Sequence, residues 1–224
     1  MRYPQFTLFI LLWSTSIANA QSIAGGVFYS YWFSKSMDNA IGLYNDSRPF
    51  LLQKQPLIAH GVGAEFSYFF NPNKKTEWGI NASYSFYQSK AHNPNYINQL
   101  MLNSLSLELL AHWELAMNRP SFYAEAKCGL NSSGMYRRIN EEPFLVDDQR
   151  EKALGIGVNT GIKIGYQWML KEQYKWGAFL KINYIPWQYV PKMEAVINAT
   201  QGLLNPKSMG AFYSAAGISI SLVK

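Results

Sequence analysis

The sequence predicts an all-β fold: a closed, antiparallel, up-and-down barrel of eight strands that spans a membrane. Three observations carry this prediction. Apolar residues recur with a period of two over long segments, the connections alternate short and long, and aromatic residues gather at both ends of the segments. A period of two sends successive side chains to opposite faces of a strand. Globular strands cluster near 5 or 6 residues, whereas a tilted strand crossing a bilayer needs about 9 to 11, a length these segments reach or exceed.

The chain opens on a leader. Arg2, the apolar run Phe6 to Trp13 and the small residues of Ala18-Asn19-Ala20 have the layout of a secretory signal. Cleavage is expected after Ala20, leaving a single domain over 21–224. The apolar run is too short to cross a bilayer as a helix, which needs about 20 residues. The only cysteine is Cys128, so neither an intrachain disulfide nor a lipid anchor at the cleavage site is expected.

Strands are expected at 23–34, 57–70 and 76–89. The fourth segment, 101–117, admits two readings. Leu102, Leu105, Leu109, Leu110 and Trp113 fit the stripe of an amphipathic helix. The alternation of Leu105, Leu107, Leu109, Ala111 and Trp113 with Ser104, Ser106, Glu108, His112 and Glu114 favours a strand, with only Leu110 out of place. The fifth strand is expected at 121–136. From Ala153 the parity is clean: Gly155, Gly157, Asn159, Gly161, Lys163, Gly165 and Gln167 share one face, and Ile156, Val158, Thr160, Ile162, Ile164, Tyr166 and Trp168 the other. Segments 175–189 and 209–223 complete the eight. Alternation also explains how 48% hydrophobic content coexists with a slightly negative mean hydropathy.

Asn71 to Lys75, Asn118 to Pro120 and Lys171 to Tyr174 make short connections, whereas 35–56, 90–100, 137–152 and 190–208 are long. Short and long connections therefore mark opposite rims. Tyr68, Phe69, Phe70, Trp78, Trp113, Phe122, Tyr123, Tyr166, Trp168, Tyr174 and Trp176 lie beside the short ones. Tyr29, Tyr31, Tyr84, Phe86, Tyr136, Tyr184, Trp187, Tyr189 and Phe212 lie towards the long ones. Amphipathic rings prefer the boundary between headgroups and hydrocarbon, so two such belts imply a band of membrane height.

Over nearly the whole mature chain these features resemble the small eight-stranded outer-membrane β-barrels, the class that includes the OmpA transmembrane domain. The resemblance implies residence in the bacterial outer membrane among its lipids, assembly by the outer-membrane insertion machinery, short turns in the periplasm and a lumen blocked by side chains. Many members end in an aromatic residue; this chain ends Leu222-Val223-Lys224, with Phe212 and Tyr213 farther back. A soluble barrel of the lipocalin kind would carry charges on its outer face. Here the polar face is mostly Gly, Ala, Ser and Asn, which suits the crowded lumen of eight strands.

On that polar parity lie Glu65, Glu108, Glu125, Lys127, Lys163 and Lys181, each a few residues above a short connection. Burying an unpaired charge costs several kcal/mol, so the six are expected to pair across the lumen and seal it. A narrow porin-like channel is the alternative use of the same residues. Catalysis is not expected. The lipid A deacylases, eight-stranded barrels that are enzymes, use a histidine, a serine two residues later and a downstream glutamate. His60 is followed instead by Val62 and His112 by Glu114, while His92 precedes Asn93 and Pro94. An interfacial position is expected for His60 and a bond to Glu108 or Glu114 for His112.

No zinc-ligand spacing or Gly-rich phosphate loop stands out, so neither a metal nor a cofactor is expected. The formal net charge of +6 is spread over turns and loops, without the basic stripe of a nucleic-acid binder. The long connections are the expected surface-contact elements, for a polysaccharide, lipopolysaccharide or a protein. The first carries Asp38, Tyr44, Asp46, Arg48 and Phe50; the third is rich in mixed charge from Arg137 to Glu151; the fourth carries Met193, Val196 and Leu203.

Overall fold

The computed structural model describes residues 22–49, 51–70, 76–93, 96–115, 121–141, 151–171, 173–191, 196 and 208–223. Residues 1–20, Phe50, the whole of the charged stretch from Glu142 to Arg150, and Met193 and Leu203 lie outside the described residues. Eight strands form the barrel: β1 (Ser22–Phe33), β2 (His60–Phe69), β3 (Glu77–Asn93), β4 (Tyr96–Glu114), β5 (Ser121–Glu141), β6 (Glu151–Lys171), β7 (Tyr174–Tyr189) and β8 (Ser208–Val223). Each pairs antiparallel with the next. β8 returns to β1, from Ser22 opposite Val223 to Phe33 opposite Phe212. Closure leaves no unpaired sheet edge.

The ambiguous fourth segment is a strand, paired with β3 and β5 along its length. Leu110, the residue that broke its alternation, points inward and is 1% exposed. Strand extends into two of the connections expected to be long. β3 runs on to Asn93 and β4 starts at Tyr96, while β5 ends at Glu141 and β6 starts at Glu151. These two hairpins therefore reach farther beyond the outer belt than the other strands do.

The barrel is apolar outside and polar inside. Leu107, Leu109, Ile156, Ile162 and Leu180 face outward and are exposed, whereas Glu65, Glu125, Lys127, Lys163 and Lys181 are buried within. Such a surface suits lipid and would be a large aggregation liability in water.

Inward-facing rings need room that only glycine leaves. Phe28 of β1 sits opposite Gly63 of β2 and Gly217 of β8; Phe179 of β7 sits opposite Gly165 and the same Gly217; Tyr123 of β5 also faces Gly165. A Cβ at Gly63 would overlap the Phe28 ring and press on the Tyr84 carbonyl, and one at Gly165 would overlap the Tyr123 ring. Gly63→Val is accordingly expected to cost about 1–3 kcal/mol by overpacking. A fall in the urea midpoint of the micelle-embedded protein checks this, and an unchanged midpoint contradicts it.

The first long connection is not a plain loop. It begins with a helix, α1 (Lys35–Asp46), whose Met37, Ala40, Ile41 and Tyr44 are buried at the spacing of one helical face. Ser34, at the N-cap position, donates its hydroxyl to the Gly210 carbonyl of β8 and so ties the start of the helix to the barrel wall. The return segment crosses the mouth to the far side. Gln55 donates to Ser89 at 2.6 Å and accepts from Asn98, and Gln53 pairs with His92.

Candidate functional site: a charged lumen beneath an apolar plug

The lower lumen is built by side chains that the register brings into rows. His112 of β4 lies opposite Glu125 of β5, Glu125 opposite Lys163 of β6, and Lys163 opposite Lys181 of β7. Glu65 projects from β2 across the barrel into this group. Its carboxylate lies 2.7 Å from the Lys163 ammonium, 3.0 Å from that of Lys181 and 3.6 Å from that of Lys127. Glu125 is 3.3 Å from both Lys163 and Lys127 and 3.3 Å from His112 Nδ1.

Five of the six residues picked from the sequence therefore meet. The sixth, Glu108, does not join the lysines. It accepts hydrogen bonds from the side-chain amides of Asn81, Asn159 and Asn183, at 2.6, 2.5 and 3.3 Å. His112 likewise finds Glu125 in place of Glu108 or Glu114. The barrel stagger sets both outcomes, because equal distance from a turn is not equal height once strands tilt and shear.

Three lysines against two carboxylates leave an excess positive charge, which is spread over aromatic faces. Lys181 Nζ lies 3.3 Å from the centroid of the Phe28 ring, and Lys163 Nζ lies 4.6 Å from that of Phe179 and 5.5 Å from that of Tyr123. A desolvated cation on an aromatic face gains about 2 kcal/mol. Phe69 and Tyr123, expected in the lower belt, point into the lumen, where both rings lie against His112. The signal that separates them was parity: Tyr123 shares the face of Glu125 and Lys127, and its neighbour Phe122 does not.

Above the ions runs a layer of amides and hydroxyls. Asn159 donates to Ser106, Asn131 to Ser104 and Ser106, and Gln188 to Asn131. Above this layer the lumen turns apolar. Trp32, Tyr87, Leu102, Met135, Ile185, Met209 and Tyr213 close against the buried face of α1, with Trp32 stacked on Tyr213 at 5.8 Å. At the opposite end a cleft of about 30 Å³ reaches His112, Glu125 and Lys163 from the rim of the short connections, where Lys175 pairs with Glu114 at 2.5 Å.

The residues expected in the belts lie on the outer face. Phe70, Trp78, Tyr166, Trp168, Trp176, Tyr184 and Trp187 are exposed, and Tyr68 and Trp113 are half-buried. Phe122 and Tyr166 meet edge to face at 4.8 Å on the lower belt. On the upper one, Trp187 stacks with Tyr189. His60 also faces outward, between Tyr29 at 5.7 Å and Tyr31 at 5.3 Å.

The strand order closes on itself, the charges lie inside and the aliphatic residues lie outside. The architecture is that of the small outer-membrane β-barrels. The chain matches no protein-family profile and none of the curated proteins. Among solved structures, neisserial surface protein A aligns with a TM-score of 0.48 at 10% identity, covering 91% of this chain and 96% of its own. Ail, the attachment invasion locus protein of Yersinia pestis, aligns at 0.41 and 12%, covering 89% and 99%. The outer membrane protease OmpT of Escherichia coli aligns at 0.48 and 6%, covering 92% and 97%. One barrel architecture serves many activities, so function must be argued from the site and not from the barrel.

Proposed function

We propose that this chain is a non-enzymatic outer-membrane barrel, exported by a leader ending at Ala20, that serves envelope integrity, surface contact or a larger envelope complex. Its partners are outer-membrane lipid and, during assembly, the machinery that inserts it. Surface polysaccharide or a protein would be met by the long connections. The observation that carries the reading is the double closure of the lumen. Glu65, Glu125 and three lysines interlock in the lower half, and α1 with its apolar partners fills the mouth. Two independent barriers in series do not suit a pore. The histidines also favour a non-catalytic role: His60 lies between two tyrosines with Val62 where a serine would stand, and His112 is buried against Glu125.

Planar-bilayer recording of the purified protein is the test. No steady conductance is expected in concentrated KCl, and a large, stable conductance refutes the closed lumen. Incubation with lipopolysaccharide should release no fatty acid; release would overturn the non-enzymatic assignment.

A further inference from the structure

A groove of about 360 Å³ opens on the outer face of β6, β7 and β8, at the upper edge of the lower aromatic belt. Register explains where it lies. Its floor is backbone and small side chains: Gly165 and Gly217 flank Phe179 as its register partners, and the outward neighbours Ala178 and Ala216 end at Cβ. Ala178 stands opposite Tyr166, and the next outward residue of its strand, Leu180, stands opposite both Ile164 and Ala216. Ile164, Tyr166 and Leu180 are exposed and rise beside this floor as walls. Phe122 packs edge to face on Tyr166 at the belt end.

The groove opens sideways into the apolar band, so its occupant comes from the membrane and not from water. Apart from the Tyr166 hydroxyl, its side chains offer no polar atom, and nothing in it selects a headgroup or a sugar. One end lies at the belt, which marks headgroup level, and the rest runs into the hydrocarbon, the course that an acyl chain takes. Stable interfaces between proteins bury about 800 Å² on each partner, far more than a slot walled by three side chains can cover, so a single chain fits where a second barrel does not. Lipid tails are as apolar as the wall itself, and van der Waals contact is what holds a chain there. A slot touches the chain on three sides. The convex wall at the exposed Leu107 and Leu109 of β4 touches it on one.

We propose that this groove is a binding site for an acyl chain of a phospholipid in the leaflet on the side of the short connections. This rests on the outer-membrane reading above. The site grips hydrocarbon and not the headgroup, so phospholipids of different headgroup charge should occupy it equally.

The test places the full protein in phosphatidylethanolamine nanodiscs carrying a trace of the same lipid with a diazirine in one acyl chain, and maps the photo-adducts by peptide mass spectrometry. Adducts should be about fivefold denser on residues 164–166, 178–180 and 216–217 than on β4 at Leu107 and Leu109, an excess that a handful of added carbon contacts supplies. Phosphatidylglycerol should give the same excess. Ala178→Phe and Ala216→Phe each put a ring into the groove from the lipid side and should bring its labelling down to that of β4. Ala64→Phe, on the outward face of β2, should leave the excess intact. Even labelling around the barrel, an excess confined to one headgroup, or an excess that survives both ring variants overturns the proposal. So does an unlabelled groove accompanied by a dimer in native mass spectra, which would make a second copy the occupant. If one ring variant does not assemble, the other carries the test. Fast gel migration of the unboiled barrel reports separately on the underlying reading. Its loss in the unmutated chain sinks that reading, and its presence with even labelling sinks only this one.

Discussion

Replacing Glu65 with glutamine is expected to lower the stability of the barrel by about 3–5 kcal/mol, the usual cost of removing one partner from a buried ion pair. Glu65 is the one carboxylate in contact with all three lumen lysines. Without its charge, Lys163 and Lys127 still have Glu125 at 3.3 Å. Lys181 has no second carboxylate within salt-bridge distance among the described residues and keeps the rings of Phe28 at 3.3 Å and Tyr213 at 5.9 Å. The aromatic contact returns about 2 kcal/mol, less than the several kcal/mol that desolvating an ammonium costs. The double variant Glu65→Gln with Lys181→Met should therefore recover part of the loss, because it removes the charge that the first change strands. Glu108→Gln should cost less, about 1–3 kcal/mol, since it replaces an acceptor of neutral amides and strands no cation. Urea titration in micelles, followed by tryptophan fluorescence, measures all three. An unshifted midpoint for Glu65→Gln, or a double variant no more stable than the single one, would falsify the central role of Glu65.

Much of this site could be read from the chain because a closed barrel turns parity into position. Lys163 and Gly165 alternate with Ile162 and Ile164, and that alone assigns the lysine to the lumen. Height is less legible. Glu108 looked level with the lysines when counted from its turn, yet it lies in the asparagine layer, because shear offsets neighbouring strands and no single segment records the offset. Nearness to a turn was also a poor guide to facing, as Phe69 and Tyr123 show. α1 was the larger omission. The stripe of Met37, Ala40, Ile41 and Tyr44 is present in the sequence, set among Lys35, Asp38, Asn39 and Gly42. A helix of 12 residues is marginal on its own and gains its stability from the surface it covers. That surface exists only once eight strands distant in sequence have closed around Trp32 and Tyr213, so local pattern alone could not establish the helix.

Because α1 draws its stability from that contact, Ile41→Asp is expected to undock it while leaving the barrel closed. Ile41 is 0% exposed and sits at the centre of the buried helix face. Met37, Ile41 and Tyr44 together gain at most about 5–9 kcal/mol from burial, at roughly 1.5–3 kcal/mol each. Losing one of them and burying a carboxylate, at several kcal/mol, removes most or all of that gain. The helix can escape the penalty by leaving the mouth. The strands cannot do so without breaking a ladder that runs unbroken around the barrel. Trypsin should then cut at Lys35 or Lys54 at least tenfold faster than in the unmutated protein, about 1.4 kcal/mol of lost protection at minimum. Unboiled migration on gels should stay fast, and bilayers should show no new conductance, because the ion cluster closes the lower lumen independently of the plug. Combining Ile41→Asp with Glu65→Gln is the arrangement in which current should first appear. Continued resistance to trypsin would show that α1 is held by more than its apolar face, and collapse of the fast-migrating form would make the helix part of the barrel core and not its lid.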